Sequence, residues 1–328
     1  MVIVGLDVGY SNLKVAAGEA GSIPQVIVRP SGAAPADRLG ERITTSSSPP
    51  DGIYVEVRGE RWVAAVEPTR LEGWQRPLHE DYAASPAYEA LAKAGLVLAD
   101  YRRVDQLVTG LPVSQAREPR RREALRRLLV GRHATALGDV EVDHVRVVPQ
   151  PIGAFVDLVW SAPDAEMLDR IETGTVLILD AGYYSIDWAV IVAGELRRAA
   201  SGTSLEAMSV LIDAAARRLA DLHGGRPQPD AVEAALRQRR EHVLVLGQRV
   251  PLAPVLERVA NDAAESALAA LRRSLRREAG NVDLVLLTGG GGTLYGDGVR
   301  GLFPGAVVHL APDPVTANAR GFFHHVRP

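Results

Sequence analysis

Apolar runs and turn residues alternate along the 328-residue chain in a pattern that predicts two α/β halves. In the first half, Val2–Val8 is a short apolar run and reads as a buried strand. Leu13–Ala17 and Gln25–Val28 follow as strands across turn-like residues. Pro30 to Pro50, rich in Pro, Gly, Ser and Thr, reads as loop. Ile53–Val57 and Arg61–Val66 form a hairpin around Arg58–Glu60, and the stretch onward to Tyr101 mixes helix and loop without a clear period. Val104–Val108 returns to strand, Gln115–Leu129 is helical, and Val142–Val148 is a strand. Pro151 opens a helix through Trp160, since proline suits the first helical turn.

The second half follows the same plan. Thr175–Leu179, Ile186–Val192 and Glu195–Ala199 read as strands, and Ser204–Leu222 as a helix with Ser204 as its N-cap. Gly224–Pro229 breaks that helix. A mixed insert leads to a long helix near Leu252–Glu278, a strand at Val282–Leu287 and a cluster of glycines. Phe303–Leu310 holds another strand, and Pro314 opens a final helix.

One short pattern occurs twice. Asp7-Val8-Gly9-Tyr10-Ser11-Asn12-Leu13 follows the first apolar strand, and Asp180-Ala181-Gly182-Tyr183-Tyr184-Ser185-Ile186 follows another. Both read D-x-G-Y, two small or polar positions, then an aliphatic residue opening a second strand. Two such units half a chain apart predict a duplicated α/β domain, with a ligand cleft between the copies. The expected division is 1–150 with an insert near 30–103, completed by a terminal helix near 314–328, and 151–313 with an insert near 224–251.

Composition narrows the function classes. The chain is 47% hydrophobic and 23% charged with a net charge of −3, so no global basic field favours nucleic acid or membrane. It has no cysteine, which excludes a disulfide scaffold and a thiolate metal site. The opening MVIVGLDVGY lacks a basic n-region, and no apolar run approaches the ~20 residues of a membrane span. The cytoplasm is the expected location. Lysine is nearly absent: only Lys14 and Lys93 stand among many arginines. A lysine kept against that bias points to a place where a compact ammonium is needed.

The first turn supplies such a place. Gly9 lets the backbone bend and approach a ligand, and the amides of Gly9, Tyr10, Ser11 and Asn12 can point at phosphate oxygens. Lys14 leaves the following strand on the same face as Asn12 and sets an ammonium beside them. Asp180 and the turn Gly182, Tyr183, Tyr184 and Ser185 supply a second set. Two aspartates at the ends of buried strands need solvent or a cation, and Mg²⁺ favours few carboxylates with several waters and phosphate oxygens. Asp7 and Asp180 fit that need; Asp187, further along its strand, is a weaker candidate. Thr288-Gly289-Gly290-Gly291-Gly292-Thr293 then removes side chains where a base or ribose could lie on the main chain. It lacks the Gly-Lys-Ser/Thr of a Walker A loop.

In this order the three elements resemble those of the actin-like ATPase superfamily. Val147–Ala154 and Ala317–Phe322 look like its two connecting helices. Within the superfamily the resemblance is nearest to the bacterial plasmid-segregation actins of the ParM/StbA group. It implies an α/β actin-like fold, two related domains with smaller inserted subdomains and a nucleotide cleft. It also implies an ATPase that binds ATP or GTP with Mg²⁺. The backbone of Gly9–Asn12 with Lys14 would hold the β-phosphate, and Gly182–Ser185 the γ-phosphate. Asp7 and Asp180 would orient hydrated Mg²⁺, and Gly289–Thr293 would carry the adenosine and α-phosphate. Gln150 falls where the family orients the attacking water; many plasmid-segregation actins have glutamate there and actin has glutamine. Tyr10 and Tyr183 stand where many relatives have Ser or Thr. The implied partners are further copies in a head-to-tail filament and a DNA-binding adaptor for plasmid or DNA segregation, without membrane or direct sequence-specific DNA contact. A sugar-type kinase or a non-polymerising nucleotide-binding scaffold of the same fold is the alternative.

Asp213 and Arg217, on the helix after the second turn, are weaker candidates for the ribose. The arginines Arg117, Arg120, Arg121, Arg122, Arg126 and Arg127 share one predicted helix with Glu118 and Glu123 and read as a solvated face. His324 and His325 are adjacent on a helix, so they face different ways and make a poor metal pair.

Overall fold

The computed structural model describes every residue except 42–51, 75–78, 136–137, 163, 206–207, 239, 276–281 and 326–328. Two compact units result, Met1–Leu168 with Ala311–Pro328, and Asp169–Leu310.

The first unit begins with β1 (Val2–Val8), β2 (Asn12–Glu19), β3 (Gln25–Pro30), β4 (Gly32–Pro35), β5 (Ile53–Val57) and β6 (Glu60–Val66). It continues with α1 (Pro86–Ala99), β7 (Arg103–Leu111), α2 (Val113–Ala116), α3 (Pro119–Leu129), β8 (Gly131–His133), β9 (Val140–Pro149) and α4 (Gln150–Ser161). Next comes α5 (Ala165–Thr173). The second unit holds β10 (Thr175–Ala181), β11 (Ile186–Val192), β12 (Glu195–Leu196), β13 (Gly202–Ser204), α6 (Met208–His223) and α7 (Pro229–Arg237). It closes with β14 (His242–Val245), β15 (Gln248–Pro251), α8 (Ala253–Leu275), β16 (Leu284–Thr288), α9 (Gly296–Leu302) and β17 (Val307–Leu310). The final helix α10 (Ala317–His324) returns to the first unit.

The sequence repeat is a structural repeat. The first sheet runs β3-β2-β1-β7-β9-β8 and the second β12-β11-β10-β16-β17. In both, the central strand pairs antiparallel with the next strand in sequence and parallel with one from further along the chain. β1 and β10 are buried along nearly their whole length, as strands covered on both faces must be, and so read as continuous apolar runs.

Several boundaries differ from the sequence reading. Within 30–50, Gly32–Pro35 is a strand, because it pairs with β6; residues 42–50 lie outside the described residues. The region before Tyr101 contains α1, capped by Ser85, whose Oγ accepts from the Tyr88 amide at 3.2 Å. The expected helix Gln115–Leu129 is two helices, since Pro119 has no N–H to continue a helix and instead opens α3. Ser204 is not an N-cap: it ends β13, paired with Ile186, and the helix begins at Met208. The strand at Glu195 stops at Leu196, that before Leu310 begins only at Val307, and the last helix starts at Ala317.

Three two-residue hairpin loops share one design. Arg58-Gly59, Ala193-Gly194 and Leu246-Gly247 each have two successive positive φ values, the type I′ pattern that matches strand twist.

In the first unit α4 and α10 cross at backbone contact. A Cβ on Gly321 would sit 1.6 Å from the Gly153 carbonyl oxygen, and one on Gly153 would sit 2.6 Å from the Phe322 ring. The Ala154 amide donates to Asn318 Oδ1 at 3.1 Å, and Arg320 forks onto Asp157 through bonds of 2.9 and 2.6 Å. His324 stacks on Trp160 at 4.3 Å between centroids, while burial holds its pKa below the usual imidazole value. No described helix is long and apolar enough to cross a membrane.

Candidate functional site

In the first unit the repeat builds a tight turn. Val8 pairs with Leu13, and the Gly9 amide closes the turn on the Asn12 carbonyl at 3.0 Å. A Cβ at position 9 would lie 2.9 Å from Lys14 Nζ, so glycine there lets the ammonium stay close to the turn. Asp7 and Lys14 are cross-strand partners, so their side chains share a face; Nζ lies 3.0 Å from Asp7 Oδ2. Asp7 is 2% exposed, and its other oxygen accepts from Gln150 Nε2 at 3.4 Å. Gln150 opens α4 over Gly110, where a Cβ would lie 2.7 Å from its Cγ. Three candidates from distant positions, Asp7, Lys14 and Gln150, therefore meet.

The same turn is braced by residues with no sequence signal. Ser31 Oγ donates to the Gly9 carbonyl at 2.7 Å, and the Ser31 amide to the Ser11 carbonyl at 3.0 Å. Tyr10 stacks on Tyr82 at 4.2 Å, and Tyr82 meets Tyr88 edge-on. The Tyr10 hydroxyl donates to the His79 carbonyl at 2.9 Å, so it anchors the turn to segment 79–84. Burial raises the Tyr88 phenol pKa well above its ordinary value. Arg121 fastens that segment in turn, binding Asp81 and the Glu80 carbonyl, each at 2.9 Å. Its neighbours Arg126 and Arg127 share Glu123, whose carboxyl their hydrogen bonds hold at a pKa of about 2.

In the second unit the copy is close. Ala181 pairs with Ile186, and the Gly182 amide closes on the Ser185 carbonyl at 3.0 Å, the same distance as in the first turn. Asp180 lies opposite Asp187, where the first copy has Lys14 opposite Asp7. Asp187 is no solvated hairpin charge. It is 2% exposed and accepts from Ser185 Oγ at 2.7 Å and Thr203 Oγ1 at 2.6 Å. Those charge-assisted bonds tie the turn to β13. The start of α6 is tied to it as well, through the Ser209 amide on the Tyr183 carbonyl at 2.8 Å.

The glycine run lies beside that turn. Thr288 pairs with Asp180 in the parallel ladder. Gly289 has φ +81°, and a Cβ there would meet Asp180 Oδ1 at 2.5 Å. Gly291 donates to the Ala181 carbonyl at 3.0 Å and abuts Met208, with a built Cβ 2.8 Å from its Cγ. Gly290 faces open space, Gly292 has only ordinary contacts, and Thr293 is exposed. Gly289 is thus required by the backbone itself, while Gly291 is crowded by the Met208 side chain. Asp213 and Arg217 lie on an exposed face of α6, where Arg217 Nε donates to the Asp213 carbonyl at 3.3 Å.

Residues 5–153 match the family described as actin like proteins N terminal domain, and residues 178–301 that described as archaeal actin homologue MreB-like, C-terminal. No curated protein matches. Among solved structures, the archaeal actin homologue Ta0583 is similar over 99% of both chains, with TM-score 0.77 and 22% identity. That protein has also been solved in complex with ADP. A 15-stranded ParM filament from Clostridium botulinum is similar over 99% of this chain and 98% of its own, with TM-score 0.74 and 16% identity. With an N-terminal and a C-terminal domain of one fold family matched in order, and the turns repeated in both sheets, the chain belongs to the actin-like superfamily.

Proposed function

We propose that this protein binds a Mg²⁺–nucleoside triphosphate, ATP or GTP, hydrolyses its terminal phosphate and assembles head to tail into filaments. The observation that carries this reading is the matched pair of Asp-x-Gly turns, each closed by a 3.0 Å hydrogen bond beside a buried aspartate. Gly9–Asn12 and Lys14 take the β-phosphate, Gly182–Ser185 the γ-phosphate, and Gly289–Thr293 the nucleoside and α-phosphate.

The donor set fits Mg²⁺ nucleotide. Among the described residues no group of three or more His, Cys, Asp or Glu could hold a metal. A cation at Asp7 or Asp180 would take its remaining ligands from water and phosphate, the mode Mg²⁺ prefers. Bound there, Mg²⁺ supplies neutralisation of phosphate charge. Gln150 does the positioning: its amide nitrogen donates to Asp7, which leaves its carbonyl oxygen to accept a hydrogen bond from the attacking water. A glutamine orients water without being a base, as phosphoryl transfer to water requires. A kinase of this fold would need a carboxylate base for a substrate hydroxyl, so Gln150 favours hydrolysis. Filaments of such a protein, working in the cytoplasm, would move plasmid or other DNA through a DNA-binding adaptor.

The test is phosphate release with Mg²⁺ and ATP or GTP, with and without sugars, alongside sedimentation over a concentration series. Gln150→Ala should keep nucleotide affinity and lose about a hundredfold in turnover, because it acts on the transition state. Absence of nucleotide binding by calorimetry at millimolar ligand would refute the whole reading.

A further inference from the structure

The β14–β15 hairpin carries an unusual tip. Leu246 has φ +47° and is 70% exposed. A left-handed backbone is costly for a leucine, and Asn, Asp or Gly is the ordinary occupant of that turn position. The other two loops of this design place Arg58 and Ala193 there. Only this one raises a large aliphatic side chain into solvent, over Gly224 and Gly225 of the preceding loop. Leu244, on the outward face of β14, is 61% exposed. It borders a shallow groove between α6, α7 and β14, lined by apolar residues such as Leu219 and Val232 and edged by Arg226. Exposed Arg249 is the cross-strand partner of Leu244. The tip is therefore apolar with basic flanks, and local strain is kept to present it.

The first unit has the complementary surface. At the end of α4, Val159 is 41% and Trp160 63% exposed, and Leu168 on α5 is 38% exposed. Trp160 is held on one face by His324 and offers the other to solvent, which makes it a rigid anchor. The exposed charges between these apolar residues, Asp164 and Glu166, are acidic.

We propose that the Leu244–Leu246 tip, flanked by Arg226 and Arg249, docks on the Trp160 face of a second copy of this chain. The proposal rests on the self-assembly proposed above. In this contact apolar meets apolar, and arginine meets carboxylate. Two different patches on one chain make a heterologous contact, which propagates as an open polymer.

Because the chain has no cysteine, engineered ones report contacts without background. Full-length Gln248→Cys and Ser161→Cys proteins, mixed with Mg²⁺ and ATP or GTP and treated with a short bismaleimide, should give a cross-linked heterodimer. In sedimentation, Leu246→Asn and Trp160→Ala should each raise the critical concentration about tenfold. Leu246→Asn should leave the melting temperature unchanged or raised, since asparagine tolerates the left-handed region. Arg249→Glu should weaken assembly, and adding Asp164→Arg should restore it. If the wild type forms polymer but no cross-link appears and Leu246→Asn is neutral, this surface is wrong and assembly stands on another. If neither polymer nor cross-link forms with any nucleotide, both proposals fall together.

Discussion

The crossing of α4 and α10 predicts that one chemical change, glycine to alanine in a helix, has opposite signs at two places. In α9, a Cβ on Gly301 would meet nothing within 4 Å. Gly301→Ala should therefore show only the helix-propensity gain of up to about 1 kcal/mol. In α10, the Cβ of Gly321→Ala would start 1.6 Å from the Gly153 oxygen, so the helices must part by about 1.5 Å to reach van der Waals contact. Overpacking of this kind costs about 1–3 kcal/mol. The shift also lifts Phe322 and Phe323, which are at most 1% exposed, and stretches the buried Ala154–Asn318 hydrogen bond from 3.1 Å. Losing that bond adds about 1–3 kcal/mol. After the propensity gain is subtracted, Gly321→Ala should lose roughly 1–5 kcal/mol. At about 2–4 °C per kcal/mol for a unit of this size, the first-unit transition should fall by roughly 2–20 °C. Gly301→Ala should stay level or rise by up to about 4 °C. Calorimetry on both variants decides it: a Gly321→Ala transition at or above the wild-type temperature refutes the close-crossing argument.

Asp187→Ala leaves the Ser185 and Thr203 hydroxyls without their buried acceptor and should cost about 2–4 kcal/mol in urea melts; a loss under about 0.5 kcal/mol would mean the turn does not depend on it. Lys14→Ala removes the ammonium beside Asp7 and should weaken nucleotide binding by about tenfold or more. An unchanged dissociation constant in calorimetry would remove Lys14 from the phosphate site. His133 is buried on the Leu129 carbonyl at 2.8 Å, and burial holds its pKa below 6.5. The unfolded chain then takes up the proton first, so this part of the stability is present above the unfolded pKa and is lost as pH falls through the folded one. His133→Gln should flatten the decline in stability below about pH 6.5, and an unchanged slope between about pH 7.5 and pH 5 would count against it.

The parts of this fold written locally were legible, and those written across the chain were not. The Asp-x-Gly turns show in sequence because a turn and its two strands are contiguous. Lys14 showed because lysine is nearly absent elsewhere and because it shares a strand face with Asn12 beside the turn; its partner Asp7, on the paired strand, completes the picture. Asp187 was underrated because Thr203, which fixes its role, lies on another strand, β13. Tyr82 and Ser31 had no signal at all: one sits in a single 3-10 turn without period, the other in a short segment that reads as loop. The Arg320–Asp157 pair spans 163 positions, beyond any periodicity. Pro119 carries a local signal, since its missing amide cannot continue a helix, and there the expected single helix divides in two. The glycine run was visible, but which glycines the backbone requires depended on Ala181 and Met208 packed against them.

The two turns differ in one cross-strand position, Lys14 in one copy and Asp187 in the other. Here the first copy sets an ammonium against its buried aspartate, and the second sets another carboxylate in the equivalent place. The first turn thus carries a carboxylate paired with an ammonium, and the second a carboxylate facing another that two hydroxyls hold. One cross-strand position sets two otherwise repeated turns apart in charge.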